Sequence, residues 1–416
     1  MAPISIVNVR ARKVFDSRGS ETIEVEIITE RGIGRSSAPS GASKGKWEVK
    51  SYPQGGVDES IKIIREKVAP RIVGISLEDT SKIDNILHEI DGTSDFSNLG
   101  GNAAYAISLA SAKAGAASIG IPLFKYIEER EAYNLPYPLG NVIGGGLHAK
   151  GEKTDIQEFL VLPTHAETLV DAAAANIKVH REVGRLIERK GIILSGKGDE
   201  GAWVAPLKTE DALEILSEAC ETVSNETGVT SRIGIDVASS SIWNEKEKVY
   251  IYQKDARKLD EGEQIDFILD LIRKFKLAYV EDPFHEESFE AFAELTYKAK
   301  RTIICGDDLF TTNIERLKRG VETKSGNAII IKPNQIGTLT DALKTVELAK
   351  RSNYIPIVSH RSGDTCDAEI SHLAVAVDAP IIKLGVLGGE RTSKVNELIR
   401  VGETPTENFR MAMLNI

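Results

Sequence analysis

The 416-residue chain carries a formal net charge of −10, with 41% apolar and 27% charged residues, the balance of a soluble globular protein. No run approaches the roughly 20 apolar residues a membrane-crossing helix needs, and the acidic balance argues against a general nucleic-acid binder, whose footprint is basic. Cys220, Cys305 and Cys366 are too scattered for a disulfide framework or a zinc site, and the N-terminal Met1-Ala2-Pro3-Ile4-Ser5 lacks the basic-then-apolar pattern of a secretory signal, so a cytoplasmic protein is expected.

Residues 4–15 and 20–30 read as strands; in Thr22-Ile23-Glu24-Val25-Glu26-Ile27 apolar and polar residues alternate, the mark of a sheet with one wet face. Asp16-Ser17-Arg18-Gly19 between them is turn chemistry and predicts a meander. The stretch Ser36–Gly45 is built of small or flexible residues except Lys44, and such a loop can approach a ligand closely or move as a lid. Helical spacing follows at about 57–69, 78–90 and 102–119, with Asn102 the expected cap of the third helix. This makes residues 1–134 an α+β unit, and the double-proline segment Asn134-Leu135-Pro136-Tyr137-Pro138 marks its boundary with residues 135–416.

Beyond Arg232 the chain repeats. Short apolar runs end at Asp236, Glu281, Asp307, Lys332, His360 and Lys383, separated by 45, 26, 25, 28 and 23 positions. Apart from the first gap, that is the length of a strand, a helix and two short loops. The segment 262–276 carries Ile265, Ile268, Leu269 and Ile272 at helical spacing, and 338–352 carries Leu339, Leu343 and Leu348. Parallel strands joined by right-handed crossovers follow. An ionisable residue at every strand end favours a closed barrel, whose sites gather at the C-terminal rim, over an open sheet with one switch point. Residues 138–230 supply the remaining strands irregularly, with a strand at Ile156–Leu162 and helices at about 167–190 and 209–226. The predicted class is therefore α/β, a (β/α)8-type barrel with a smaller N-terminal α+β capping domain.

On such a rim Asp236, Glu281 and Asp307 converge as three carboxylates that raise one another's pKa unless a hard cation separates them. Mg²⁺ suits oxygen ligands and an anionic substrate; a rim neutralised by Lys332 and Lys383 is the plainer reading. Beside a divalent ion and each other, those lysines are expected to favour the neutral amine that a general base requires. His360-Arg361-Ser362 suits a phosphate or carboxylate. Glu158 in Ile156-Gln157-Glu158-Phe159, Glu200 in Gly198-Asp199-Glu200-Gly201 and His148 after a triple glycine are candidates for a general acid. The residues together point to metal-assisted proton abstraction next to a carboxylate.

These motifs resemble the enolase family nearly from end to end. The matching runs are Asp16-Ser17-Arg18-Gly19, Pro39-Ser40-Gly41-Ala42-Ser43, Gln157-Glu158-Phe159, Gly198-Asp199-Glu200-Gly201, Glu281-Asp282-Pro283-Phe284, Gly306-Asp307-Asp308-Leu309, Lys332-Pro333-Asn334-Gln335-Ile336-Gly337-Thr338 and Ser359-His360-Arg361-Ser362-Gly363. A Lys or His base working with Mg²⁺ is the known chemistry of that superfamily. The resemblance implies a barrel opening with two strands and two helices, and a hydro-lyase that reversibly dehydrates 2-phosphoglycerate to phosphoenolpyruvate in glycolysis. It implies two Mg²⁺ per active site, one on Asp236, Glu281 and Asp307, of which Glu281 and Asp307 also border the substrate, and a second on Ser43 of the mobile loop. Lys332 would remove the C2 proton, and Glu200, assisted by Glu158, would help the C3 hydroxyl leave. Lys383 would meet the substrate carboxylate, Arg361 and Ser362 the phosphate, while His148 and His360 would contact substrate or order the acid side. A homodimer or an assembly of dimers is expected. The chain departs from the family at Lys44-Gly45-Lys46-Trp47-Glu48-Val49 in the lid, at Ala202, and at Leu384-Gly385-Val386 after Lys383. Two alternatives stand beside this reading: another superfamily enzyme acting on an acid sugar or amino-acid derivative, and a catalytically silent relative kept for binding. The phosphate-suited Ser-His-Arg-Ser run weighs against the first, and the full set of costly buried charges against the second.

Overall fold

The computed structural model describes residues 4–414. Strands Ile6–Phe15, Glu21–Thr29 and Ile33–Ser37 form the predicted antiparallel meander. Its first corner is closed by Asp16, whose Oδ1 accepts the N–H groups of Arg18 and Ser20 at 2.9 and 2.8 Å, the local bonding that makes Asp a turn residue. The helix Gly101–Ile119 packs on the sheet through an Ala-rich, almost wholly buried surface. Its expected cap is corrected by the structure. Asn102 lies inside the first turn, and the Ncap is Gly100. The N–H groups of Gly101 and Asn102 are satisfied by the carbonyls of Lys50 and Ser51, at 2.7 and 3.1 Å, so backbone does what a side chain was expected to do.

Eight strands close into a barrel: Tyr137–Gly144, Glu158–Thr164, Thr230–Asp236, Tyr279–Glu281, Ile303–Gly306, Ala328–Ile331, Ile355–Ser359 and Ile381–Gly385, numbered one to eight in that order. Strand two alone runs antiparallel to both neighbours. The others pair in parallel, strand eight closing on strand one. Most of the barrel strands are buried along their whole length, as strands covered on both faces must be. The long gap before Glu281 is filled by a small antiparallel sheet, Trp243–Asn244, Val249–Tyr252 and Arg257–Leu259, ahead of helix Glu261–Phe275. That helix opens on a complete capping box between Asp260 and Glu263.

The reversed second strand sets the position of the next two loops. Strand two descends from the mouth to the rear, helix Leu169–Arg189 climbs back, and helix Thr209–Thr227 descends again to strand three. The segments 145–157 and 190–208 therefore both lie at the C-terminal mouth. The meander and its helices sit against the same face. Ser36 donates to Glu369, the Ser37 N–H to Asp367, and His88 pairs with Asp341 on helix Leu339–Arg351. Among the described residues no helix is long and apolar enough to cross a membrane.

Candidate active site

Strand register carries the charged residues to one level. Asp236 is paired with Glu158 on one side and Glu281 on the other, and Ser359 is paired with Lys383. Glu158 reaches the mouth because it begins the antiparallel strand, whereas Asp236 and Glu281 end parallel ones. Gly41, Ser43, His148, Glu158, Glu200, Asp236, Asp307, Lys332, His360, Arg361, Ser362 and Lys383 line one cavity of about 20 Å³, with Glu281 buried beside them. Every residue singled out in the sequence for this site is thus in one place, around a space of about one water molecule.

Two clusters share the cavity. In the first, Lys383 Nζ lies 2.7 Å from Glu281, 3.0 Å from Asp236 and 3.1 Å from Glu158. Burial alone lowers the Lys383 ammonium, but Asp236, Glu158 and Glu281 outweigh it and hold it well above the usual lysine range. Lys332 Nζ sits 2.5 Å from Asp307 Oδ2, and again burial is outweighed, here by Asp307, so the amine is raised. The neutral amines expected from the sequence are therefore not what the protein's own charges favour. Each lysine's nearest neighbour is a carboxylate, and the barrel's rim is internally paired. Burial and Asp236 push the Glu281 carboxyl well up despite Lys383, and its Oε1 has no hydrogen-bond partner.

In the second cluster His148 Nδ1 is 3.2 Å from Glu158 and 3.6 Å from Glu200, and His360 Nε2 is 3.3 Å from Glu200. Asn141 of strand one donates to Glu200 at 3.1 Å. The two carboxyls are driven in opposite directions. Burial and Glu200 raise Glu158; burial also raises Glu200, but His360, His148 and Arg391 together take it well below the usual range. Two neighbouring carboxyls whose surroundings push them apart in this way suit an acid and its partner, and His148 bridges them.

The Ser36–Gly45 loop lines the same cavity through Gly41 and Ser43, and the loop and the residues after it are held to Arg361 and Ser362. The Ala42 N–H donates to Ser362 Oγ at 2.7 Å, and Glu48 accepts from Arg361 Nη2 at 2.9 and 3.1 Å. Arg361 Nη1 donates to Asn334. A side chain at residue 41 would place its Cβ 2.1 Å from the guanidinium, which is why glycine stands there. Farther out, Trp47 Nε1 donates to Glu287 at 2.6 Å, the Lys46 N–H donates to Glu286 at 2.8 Å, and Arg316 lies over the Trp47 ring. Lys46 and Trp47, at which the chain leaves the family pattern, are the lid's outer fastening.

As a metal site, the Asp236, Glu281 and Asp307 carboxylates supply a hard oxygen donor set, and the orphaned Glu281 oxygen is an acceptor awaiting a partner. They are looser than two other groups. One ligand atom from each of His148, Glu158 and Glu200, and one from each of Asp282, Asp307 and Asp308, lie within 4.8 Å of one another in their group. Asp282 is spoken for, since its two oxygens accept the N–H groups of Asp307 and Asp308. Three contributors carried no recognisable signal of a site role in sequence: Asn141 in an apolar strand, Glu48 after the small-residue loop, and Arg391 at the start of a helix.

Residues 6–127 match the family model described as the enolase N-terminal domain, and residues 132–413 that of the enolase C-terminal TIM barrel domain. The chain belongs to the enolase family. Curated proteins named Enolase align along almost its full length. That of Methanosphaera stadtmanae is 52% identical over 96% of this chain and 97% of its own. Those of Methanothermobacter thermautotrophicus and Archaeoglobus fulgidus are 50% and 47% identical, the latter covering 98% of this chain and all of its own. The reversed second strand and the acid pair it creates are therefore features of an enolase-family barrel.

Proposed function

We propose that this enolase-family chain catalyses the reversible dehydration of 2-phosphoglycerate to phosphoenolpyruvate, as its curated relatives' shared name indicates. The observation that supports the reading is the joint presence, around one cavity, of Lys332, the carboxyls of Glu158 and Glu200 bridged by His148, and Arg361 with Ser362. Lys332 takes the C2 proton. Glu200 and Glu158, sharing one proton between them, deliver it to the departing C3 hydroxyl, and His148 holds the two carboxyls together. Arg361 and Ser362 bind the phosphate, and Lys383 the substrate carboxylate.

The fitting cofactor is Mg²⁺, two per site, held by Asp236, Glu281 and Asp307 and, on the lid, by Ser43. When bound it supplies electrostatic stabilisation of the charge that develops on the substrate carboxylate. A cavity of about 20 Å³ admits no phosphorylated three-carbon acid, so entry requires the lid to lift and Glu48 to release Arg361. We further assign the protein to the cytoplasm, as a homodimer or an assembly of dimers.

The test is formation of phosphoenolpyruvate from 2-phosphoglycerate, followed by its ultraviolet absorbance. Activity dependent on Mg²⁺ or Mn²⁺ and lost on chelation is expected. Absence of turnover with both ions would overturn the assignment.

A further inference from the structure

Arg391 is the largest fully buried side chain of the described residues, and the chemistry above does not call on it. It stands in the first turn of helix Gly389–Gly402, behind the wall that carries His360, Arg361 and Ser362. Its Nη1 lies 2.7 Å from His360 Nδ1 and 2.6 Å from the Arg361 carbonyl. Its Nη2 lies 2.6 Å from the Ser362 carbonyl and 3.1 Å from that of Asp199. Asp364 at 3.5 Å and Glu390 at 3.3 Å compensate the buried charge.

One of these contacts decides a chemical question. A guanidinium has donors and no acceptor. His360 Nδ1, facing Arg391, must therefore accept. The Gly385 N–H points at the same nitrogen from 3.3 Å, so Nδ1 is met by donors from two sides. A neutral imidazole whose Nδ1 accepts carries its hydrogen on Nε2. Here Nε2 is buried, 3.3 Å from Glu200 Oε2, and has no well-aligned hydrogen bond of its own, which leaves a donor aimed at the acid pair. The packing is close. A Cβ on residue 385 would lie 2.3 Å from the Glu200 carbonyl and 3.0 Å from Arg391 Cγ, so glycine lets the helix, the acid loop and the last barrel strand meet.

We propose that Arg391 is a positioning residue that locks His360 in the Nε2–H tautomer, so that His360 serves the acid pair as a neutral hydrogen-bond donor and not as a carrier of a second proton. The same guanidinium gathers the carbonyls of Asp199, Arg361 and Ser362, tying the acid loop to the anion subsite. Burial, with Arg391 adding to it, depresses the His360 imidazolium to about 4, in keeping with that role. The assignment of the anion and acid roles rests on the function proposed above; the tautomer does not.

The test begins with the full chain labelled with ¹⁵N-histidine, His360 being identified by difference from a His360→Gln variant. Between about pH 6 and 8 we expect a pyridine-type Nδ1 and a pyrrole-type Nε2. An imidazolium, or hydrogen on Nδ1, overturns the proposal irrespective of whether 2-phosphoglycerate is the substrate. Arg391→Lys and Arg391→Met come second. In a variant whose melt and circular dichroism show a folded protein, we expect exchange between tautomers and a kcat about 10- to 100-fold lower, with a smaller change in KM. A folded variant that keeps the parent tautomer and kcat overturns it as well. If neither variant folds, the spectrum of the unmodified chain still decides.

Discussion

Lys332 and Asp307 are 2.5 Å apart, and their pairing defines what each substitution should do. With protein groups alone, Asp307 holds the amine charged. A divalent ion competing for the Asp307 carboxylate turns the same neighbours into an environment that favours the free amine. Lys332→Ala is thus expected to abolish exchange of the substrate C2 proton, a loss of at least about 10²- to 10⁴-fold in rate, while Mg²⁺ affinity is retained or improved. Proton exchange followed by NMR and metal titration by calorimetry check the two halves separately. A collapse of metal affinity would make Lys332 a structural residue. Glu48 tests the Arg361–Ser362 side of the cavity. Its carboxylate occupies the guanidinium proposed to bind the phosphate, so Glu48→Gln should weaken the loop's hold on Arg361 and lower the inhibition constant of inorganic phosphate. An unchanged constant would mean that the phosphate binds without displacing Glu48.

The lid shows how far an element's behaviour can be read from its composition. Its small residues predict close approach to a ligand or motion as a lid, and Gly41 lies where any side chain would meet Arg361. Its fastening was not legible. Lys46 and Trp47 meet Glu286 and Glu287, some 240 positions away, and no local pattern encodes such a meeting. The bond from the indole to the Glu287 carboxylate belongs to the charge-assisted class, moderated by an exposure of 45% at Trp47. Trp47→Phe keeps the ring stacked near Arg316 and removes only that bond. The expected result is a rise in KM of up to about tenfold with kcat altered less, measured by steady-state kinetics. The barrel strands were legible from their apolar runs and charged ends, and the reading placed Lys332 and Lys383 correctly on the rim. Glu158 and Glu200 could be named but not located, because a strand's direction is set by what packs around it and not by its own residues. Asn102 failed as a cap for a similar reason: carbonyls of Lys50 and Ser51 arrived first.

At the scale of the molecule the two folding units meet through polar contacts that respond to pH. His88 of helix Ser81–Asp91 and Asp341 of helix Leu339–Arg351 are 2.6 Å apart. The hydrogen bond to Asp341 raises His88, and burial of Asp341 is outweighed by His88 and Thr338, which take it to about 2. The sign follows for each partner. His88, raised on folding, contributes stability fully below its unfolded value near 6.5 and loses it as pH rises through its folded pKa. Asp341, depressed on folding, contributes above about 3.8 and loses it as pH falls towards 2. The pair therefore stabilises most between about pH 4 and 6.5. Asp341→Asn should lower the melting temperature most in that window and flatten its decline at higher pH, by thermal melts of parent and variant across the range. Equal losses at pH 5 and pH 8 would remove the pair from the account.

The single reversed strand has one more implication, for how such an enzyme diversifies. The barrel residues proposed as metal ligands and base come from strands three to six, and the proposed acid pair from the opening strand-strand-helix-helix stretch. Proton removal and hydroxyl departure are thus carried by separate lengths of chain. Replacing residues 145–158 and 190–208 as cassettes would exchange the proposed leaving-group chemistry while the proposed proton-abstracting half is inherited intact.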